Sequence, residues 1–184
     1  MEFSFLEDEE VHNWAMFSLV RRRVSDPTGV EFQRTFVATP GAVAVVPVTD
    51  DGRVVLVSQY RPAIGGHILE LPAGMRDIEG EDPAVTAKRE LREETGWEAG
   101  AMEFIGQCLS SPAVTDSRVL VYKGTGLVPG TRAPHGPEEE FMEIVIPTVE
   151  EAMDMVQDGR IIDAKTCYGL LMVFGSGRTT NRGS

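Results

Sequence analysis

The sequence predicts an α+β fold: a helix–sheet–helix (α/β/α) sandwich with a mixed β-sheet and an N-terminal strand extension. Three observations predict it. β-Branched and aromatic runs fill the first third of the chain, one well-capped helical pattern sits in the middle, and two more capped helical patterns close it after further strand-like runs. At 184 residues, 42% hydrophobic and 25% charged, the chain has the size and composition of one globular domain. It divides into an N-terminal strand extension over 1–39, a main domain over 40–175 and a polar tail over 176–184 expected to be disordered.

Trp14 to Val24 and Val30 to Ala38 read as two strands around the turn Ser25-Asp-Pro-Thr-Gly29. Gly41 to Thr49 is β-branched and apolar, Asp50-Asp-Gly52 is a tight turn, and Arg53 to Arg61 is the partner strand of a hairpin. Glu70-Leu-Pro-Ala-Gly74 leads into a loop. A helix is predicted from Asp82 as N-cap, with Pro83 at its first position, to Thr95, stopping at Gly96. Met102 to Leu109, Val119 to Tyr122 and Phe141 to Pro147 have strand composition, and a loop rich in Gly, Pro and acidic residues spans Gly124 to Glu140. Thr148-x-x-Glu151 is a capping box that opens a helix ending near Gly159, and a last helix runs from about Asp163 to Gly175.

The net charge of −12 argues against polymeric nucleic acid or an anionic membrane as a partner. A small anionic ligand stays open, because bound metal ions invert the local charge. The acidic N-terminus lacks the pattern of a secretory signal and no apolar run is long enough to span a bilayer, so a cytoplasmic location is expected. In that compartment Cys108 and Cys167, without C-x-x-C spacing, read as free thiols. His12, His67 and His135 are scattered singly, and Ser110-Ser111 has no nucleophile-elbow context, so neither histidine nor covalent serine chemistry is favoured.

The strongest chemical signal is on the central helix. Residues three and four apart share a helical face, so Glu90, Glu93 and Glu94 project from one side. Two like charges 4 Å apart repel by about 4 kcal/mol at an effective dielectric near 20, which calls for a cation. Arg89 and Arg92 offset part of that charge, and oxygen-rich carboxylate clusters also hold Mg²⁺ or Mn²⁺. A solvated acidic face is the plain alternative.

The ordered string Glu81-x7-Arg89-Glu90-Leu91-x-Glu93-Glu94-x-Gly96-Trp97, preceded by Leu71-Pro-Ala-Gly74, matches the Nudix box, and the chain resembles the Nudix hydrolases, more loosely from Ala42 to about Leu171. Gly74 lies seven residues before Glu81 where the family has six, a one-residue insertion in the loop that leaves the helical spacing intact. The resemblance implies the Nudix fold and two or three Mg²⁺ (or Mn²⁺) held mainly by Glu90 and Glu94. Glu93 would assist directly or through water, and the Ala73 carbonyl would supply a further oxygen. Arg89 would pair with Glu81 and, with Gly96, play a structural part.

A carboxylate outside the helix is needed as base. Pro137-Glu138-Glu139-Glu140 matches the acidic loop that delivers the catalytic Glu in ADP-ribose pyrophosphatases of this family, with Glu139 favoured, then Glu138, and Glu140 orienting the loop. The same subgroup resembles this chain in Thr39-Pro-Gly-Ala-Val-Ala-Val-Val-Pro-Val, in Val57-Ser-Gln-Tyr-Arg61 with Leu69-Glu-Leu-Pro-Ala-Gly74, and in Pro112, sixteen residues after Gly96. It implies substrate contacts at Arg61, Pro112 and Gly74, hydrolysis of ADP-ribose or a related nucleoside diphosphate sugar, and a homodimer whose N-terminal strands reach over the partner. A different nucleotide, such as GDP-mannose or an oxidised nucleotide, is the enzymatic alternative. A non-catalytic nucleotide-binding regulator is the other.

Overall fold

The computed structural model describes residues 2–175, so the tail expected to be disordered lies outside the described residues. A four-stranded mixed sheet, in the order β7 (Ala73–Met75), β4 (Ala42–Pro47), β9 (Arg118–Pro129), β8 (Trp97–Leu109), is the centre of the molecule. β4 runs parallel to β9, and the other two pairings are antiparallel. Alternate residues of β4 face opposite layers. Val43 and Val45 pack with Ala87 and Leu91 of helix α1 (Pro83–Thr95), while Ala44 and Val46 pack with Ala152, Met153 and Leu170 of α3 (Val149–Gln157) and α4 (Ala164–Phe174). Both faces are thus covered, which is why β4 reads as an unbroken apolar run rather than an alternating one. The α/β/α sandwich predicted from the sequence is the architecture found.

A second sheet, in the order β10 (Glu143–Val145), β5 (Leu56–Arg61), β6 (Gly66–Glu70), carries the other wall of the site. The expected hairpin between Gly41–Thr49 and Arg53–Arg61 is therefore only partly formed. Its turn survives as the Val48↔Val54 bridge and the Thr49 N–H bond to Arg53 O at 2.9 Å. Beyond the turn the strands part, because both edges of β4 are taken by β7 and β9, which leaves β5 to pair with β6 and β10.

The N-terminal extension has three strands rather than two: β1 (Ser4–Trp14), β2 (Phe17–Ser25) and β3 (Glu31–Ala38). β1 escaped the sequence reading because it is acidic and exposed along its whole length, so no buried face imposes alternation. Its Asp8 and Glu9 pair instead with Arg22 and Arg21 of β2. Trp14 ends β1, and it and Tyr60 are 43% and 42% exposed, so neither aromatic sits in the core. β8 and β9 are longer than their apolar centres, so Gly124 to Pro129 is strand rather than loop, and a short helix α2 (Pro137–Glu140) ends that loop. Both caps of α1 match the sequence: the Asp82 side chain accepts from Ala84 N–H, and Gly96 takes the left-handed C-cap at φ 75°. The two cysteines are free, and no described helix is long and apolar enough to cross a membrane.

Candidate active site

Four segments meet around a cleft of about 590 Å³. α1 contributes Arg89, Glu90, Glu93 and Glu94, the β7 turn contributes Ala73, Gly74 and Asp77, β5 contributes Gln59 and Arg61, and the α2 loop contributes His135 and Glu139. Five carboxylates and two guanidinium groups thus share one concave surface. The surplus of negative charge, packed against a low-dielectric core, is the arrangement that divalent cations with oxygen ligands satisfy.

The glutamates of α1 are buried because β7 lies across that face of the helix. Glu90, Glu93 and Glu94 are 9%, 7% and 3% exposed. Burial pushes the Glu94 carboxyl up to about 8, partly opposed by the Ala73 N–H that donates to its Oε2 at 3.0 Å, with Glu139 and Glu90 adding repulsion. Burial also raises Glu90 to about 7, against the pull of Arg89. Gly74 makes the approach possible: a Cβ there would lie 2.0 Å from the Glu90 Cδ, so only a residue without a side chain leaves room for that carboxylate.

Arg89 gathers the acidic groups, meeting Glu90 Oε1 at 2.8 Å, Glu93 Oε2 at 3.1 Å, Asp77 Oδ1 at 3.1 Å and Glu81 Oε2 at 3.4 Å. Glu81 is held in turn by the Thr86 hydroxyl at 2.8 Å. Asp77 was not picked out from the sequence, where an acidic residue in an acidic loop carries no distinguishing pattern. Among the described residues no three acidic, histidine or cysteine side chains already converge in a metal-binding geometry. Arg89 lies between Glu90 and Glu93, and Glu94 is turned to the Ala73 amide. The donor set nonetheless fits a hard cation: the oxygens are carboxylate, two of the three carboxyls are raised by burial, and Gly74, lacking a side chain, gives the Glu90 carboxylate its place in the cleft wall. The one-residue insertion is absorbed in a turn closed by Glu81 N–H to Ile78 O at 3.2 Å, with Gly80 at φ 77°, so it does not disturb the helix.

The long loop is fastened to the carboxylate helix. Ala133 N–H donates to Glu93 O at 3.0 Å, and the Arg132 guanidinium donates to Glu139 O at 2.8 Å. Glu139 accepts at 2.6 Å from the His135 N–H and lines the cleft, while Glu138 and Glu140 are exposed beside it. Arg132 could not have been chosen from sequence, because only the folded loop brings it to Glu139.

On the opposite wall, Arg61 donates through Nε to Glu70 Oε2 at 2.7 Å. Glu70, 2% exposed, also accepts from Lys165 of α4, which Asp163 holds at 3.0 Å. Arg61, Gly74, Ala73, Arg89, the three α1 glutamates and Glu139 are therefore brought together, with Glu81 just behind. Pro112 is not: it lines a separate groove with Arg22, Phe36 and Asp116.

Comparison with known proteins follows the same lines. The NUDIX domain family model matches residues 38–166. The chain is 38% identical over 165 residues to a methanol dehydrogenase activator of Bacillus methanolicus, covering 87% of this chain and 89% of the relative. It is 35% identical over 170 residues to an ADP-ribose pyrophosphatase of Bacillus subtilis, covering 92% and 91%. A solved structure described as an ADP compounds hydrolase superposes with a TM-score of 0.80 over 94% of this chain and 92% of the other, at 24% identity, a likeness of fold.

Proposed function

The chain belongs to the NUDIX family, and on that premise we propose that it hydrolyses the pyrophosphate bond of ADP-ribose or a closely related nucleoside diphosphate sugar, giving AMP and ribose 5-phosphate. The observation that carries the reading is the cleft in which five carboxylates face Arg61 across the space beside Gly74. Relatives named ADP-ribose pyrophosphatase at 35% and 37% identity favour this substrate class. Nudix hydrolases in general depend on divalent metal.

Glu90, Glu93 and Glu94, with the carbonyl of Ala73, would hold two or three Mg²⁺, for which Mn²⁺ would substitute. Such ions supply neutralising charge to the pyrophosphate and acidify a water. The chain's own groups do the rest. Arg61, fixed through Nε, keeps its terminal amino groups for a phosphate oxygen, a charge-assisted contact. Glu139 takes the proton from the water that attacks phosphorus, and its tie to Arg132 keeps it over the α1 carboxylates. Glu138 is the second choice of base. Arg89 and Glu81 brace the loop against the helix, and Gly74 lies against the substrate. Pro112 would reach substrate only through a second copy of the chain.

That second copy is part of the reading. Phe3, Phe5, Leu6 and Trp14 stand exposed on the extension of residues 1–39, apolar surface that a homodimer would cover, the extension of one protomer lying over the 40–175 domain of its partner. Unpaired cysteines are in keeping with a cytoplasmic location.

The test is turnover with Mg²⁺ on a panel of ADP-ribose, GDP-mannose and an oxidised nucleoside triphosphate, with products identified by phosphorus NMR. ADP-ribose should give the highest kcat/KM and yield AMP. No turnover of any of them would overturn the reading in favour of a nucleotide-binding regulator.

A further inference from the structure

Gln59 is 5% exposed, yet it lines the cleft, two residues before Arg61 on the same face of β5. Its carboxamide makes no hydrogen bond with any described residue, and its nitrogen and oxygen are not among the side-chain atoms sealed from solvent without a partner, so they open onto the cleft. A ligand that closes the cleft over such an amide strips its water and must supply the partner, or the complex carries the cost of an unsatisfied polar group. An unpaired amide aimed into a ligand cleft is kept for the ligand.

The chemistry of the amide narrows what that ligand offers. Phosphate oxygens are acceptors only, and they would satisfy the amide N–H groups while repelling its carbonyl. A hydroxyl both donates and accepts, so it serves both halves of a carboxamide. The charged groups of the cleft already suit the rest of the molecule, with Arg61 for phosphate and the carboxylates for cations. Residues two apart on a strand stand about 7 Å apart, a reach comparable to that from a phosphate to the hydroxyls of the sugar it carries.

We propose that Gln59 is a specificity-determining residue whose carboxamide takes a sugar hydroxyl of the nucleoside diphosphate sugar while Arg61, two residues along β5, takes the adjoining phosphate. This rests on the pyrophosphatase reading above. A site built to hydrogen-bond a hydroxyl rejects analogues lacking it, because its buried amide is then left unpaired.

The experiment compares the wild type with Gln59→Met, which keeps the unbranched shape, and with Gln59→Leu. Each is assayed with Mg²⁺ on ADP-ribose, on the ethyl ester of ADP, which lacks the distal sugar, and on the ADP-ribose analogue built from 2′,3′-dideoxyadenosine. The variants should lose at least about tenfold in kcat/KM on ADP-ribose and match the wild type on whichever analogue lacks the contacted hydroxyl, which also identifies the sugar. Their melting temperatures should stay close to that of the wild type, since no described residue loses a hydrogen bond; a merely structural glutamine would lower them. Equal losses on all three substrates, or none, would overturn the Gln59 assignment alone. A wild type inactive on all three would overturn the function reading and this proposal with it.

Discussion

The carboxylate of Glu90 occupies the space where a side chain on Gly74 would be, 2.0 Å separating its Cδ from the position of a Cβ. The β7 backbone and the α1 carboxylate are thus fitted to each other. Gly74→Ala should push Glu90 aside, at an overpacking cost of about 1–3 kcal/mol. A lower melting temperature together with weaker Mg²⁺ activation, read from a metal titration of the rate, is the expected result.

The buried carboxyls also set a pH dependence. Glu90 and Glu94 have folded-state values near 7 and 8 against an ordinary 4.5. A raised folded value means that the stability contributed by the protonated groups is complete below about pH 4.5 and lost as pH rises through 7 and 8. The metal-free protein should therefore melt at progressively lower temperature from pH 5 to pH 8, and Mg²⁺ should lessen that decline. Calorimetry across this range, with and without the ion, checks it. Chelation with EDTA should abolish turnover.

Glu94→Gln removes the charge that burial opposes. It should flatten the upper part of that pH profile in the metal-free protein while cutting kcat/KM by more than the roughly 10–100-fold typical of losing an outer-shell partner of a metal. A Glu94→Gln enzyme with wild-type turnover would show that the metal is held elsewhere.

Glu139 and Glu138 are adjacent in sequence but not equivalent in space, since only Glu139 lines the cleft and is held by His135 N–H. Glu139→Gln should lower kcat by about 100-fold or more, the range of a general base, with KM little changed. Glu138→Gln should leave both nearly unchanged. Steady-state kinetics on the two variants separates them.

Glu70 joins Arg61 of the cleft to Lys165 of α4. Glu70→Ala removes the buried acceptor of both cations. Because Lys165 keeps Asp163 and Arg61 is part-exposed, the loss should fall below the roughly 3–5 kcal/mol of leaving a buried charge uncompensated. Denaturant unfolding should show that loss, and KM should rise as Arg61 loses its aim. Arg61→Lys, which keeps the charge but not the planar fork, should raise KM with smaller loss of stability.

What the sequence determined by itself is local. Asp82, Pro83 and Gly96 fix both ends of α1 through caps that need no tertiary partner, and the period of the helix places Glu90, Glu93 and Glu94 on one face. The Thr148–Glu151 capping box set the start of α3 for the same reason. Tertiary structure decided whatever depends on segments distant along the chain. β4 and β5 form no hairpin beyond their turn because β7 and β9 compete for the edges of β4, and a period of two cannot name the partner. Likewise Arg132 reaches Glu139, Lys165 reaches Glu70 across 95 residues, and Gln59 faces the cleft unpaired only once the second sheet is set against α1. Caps and helical faces are written in neighbouring residues, whereas strand pairing, burial and the charge balance of a cleft arise only when distant segments exclude water together.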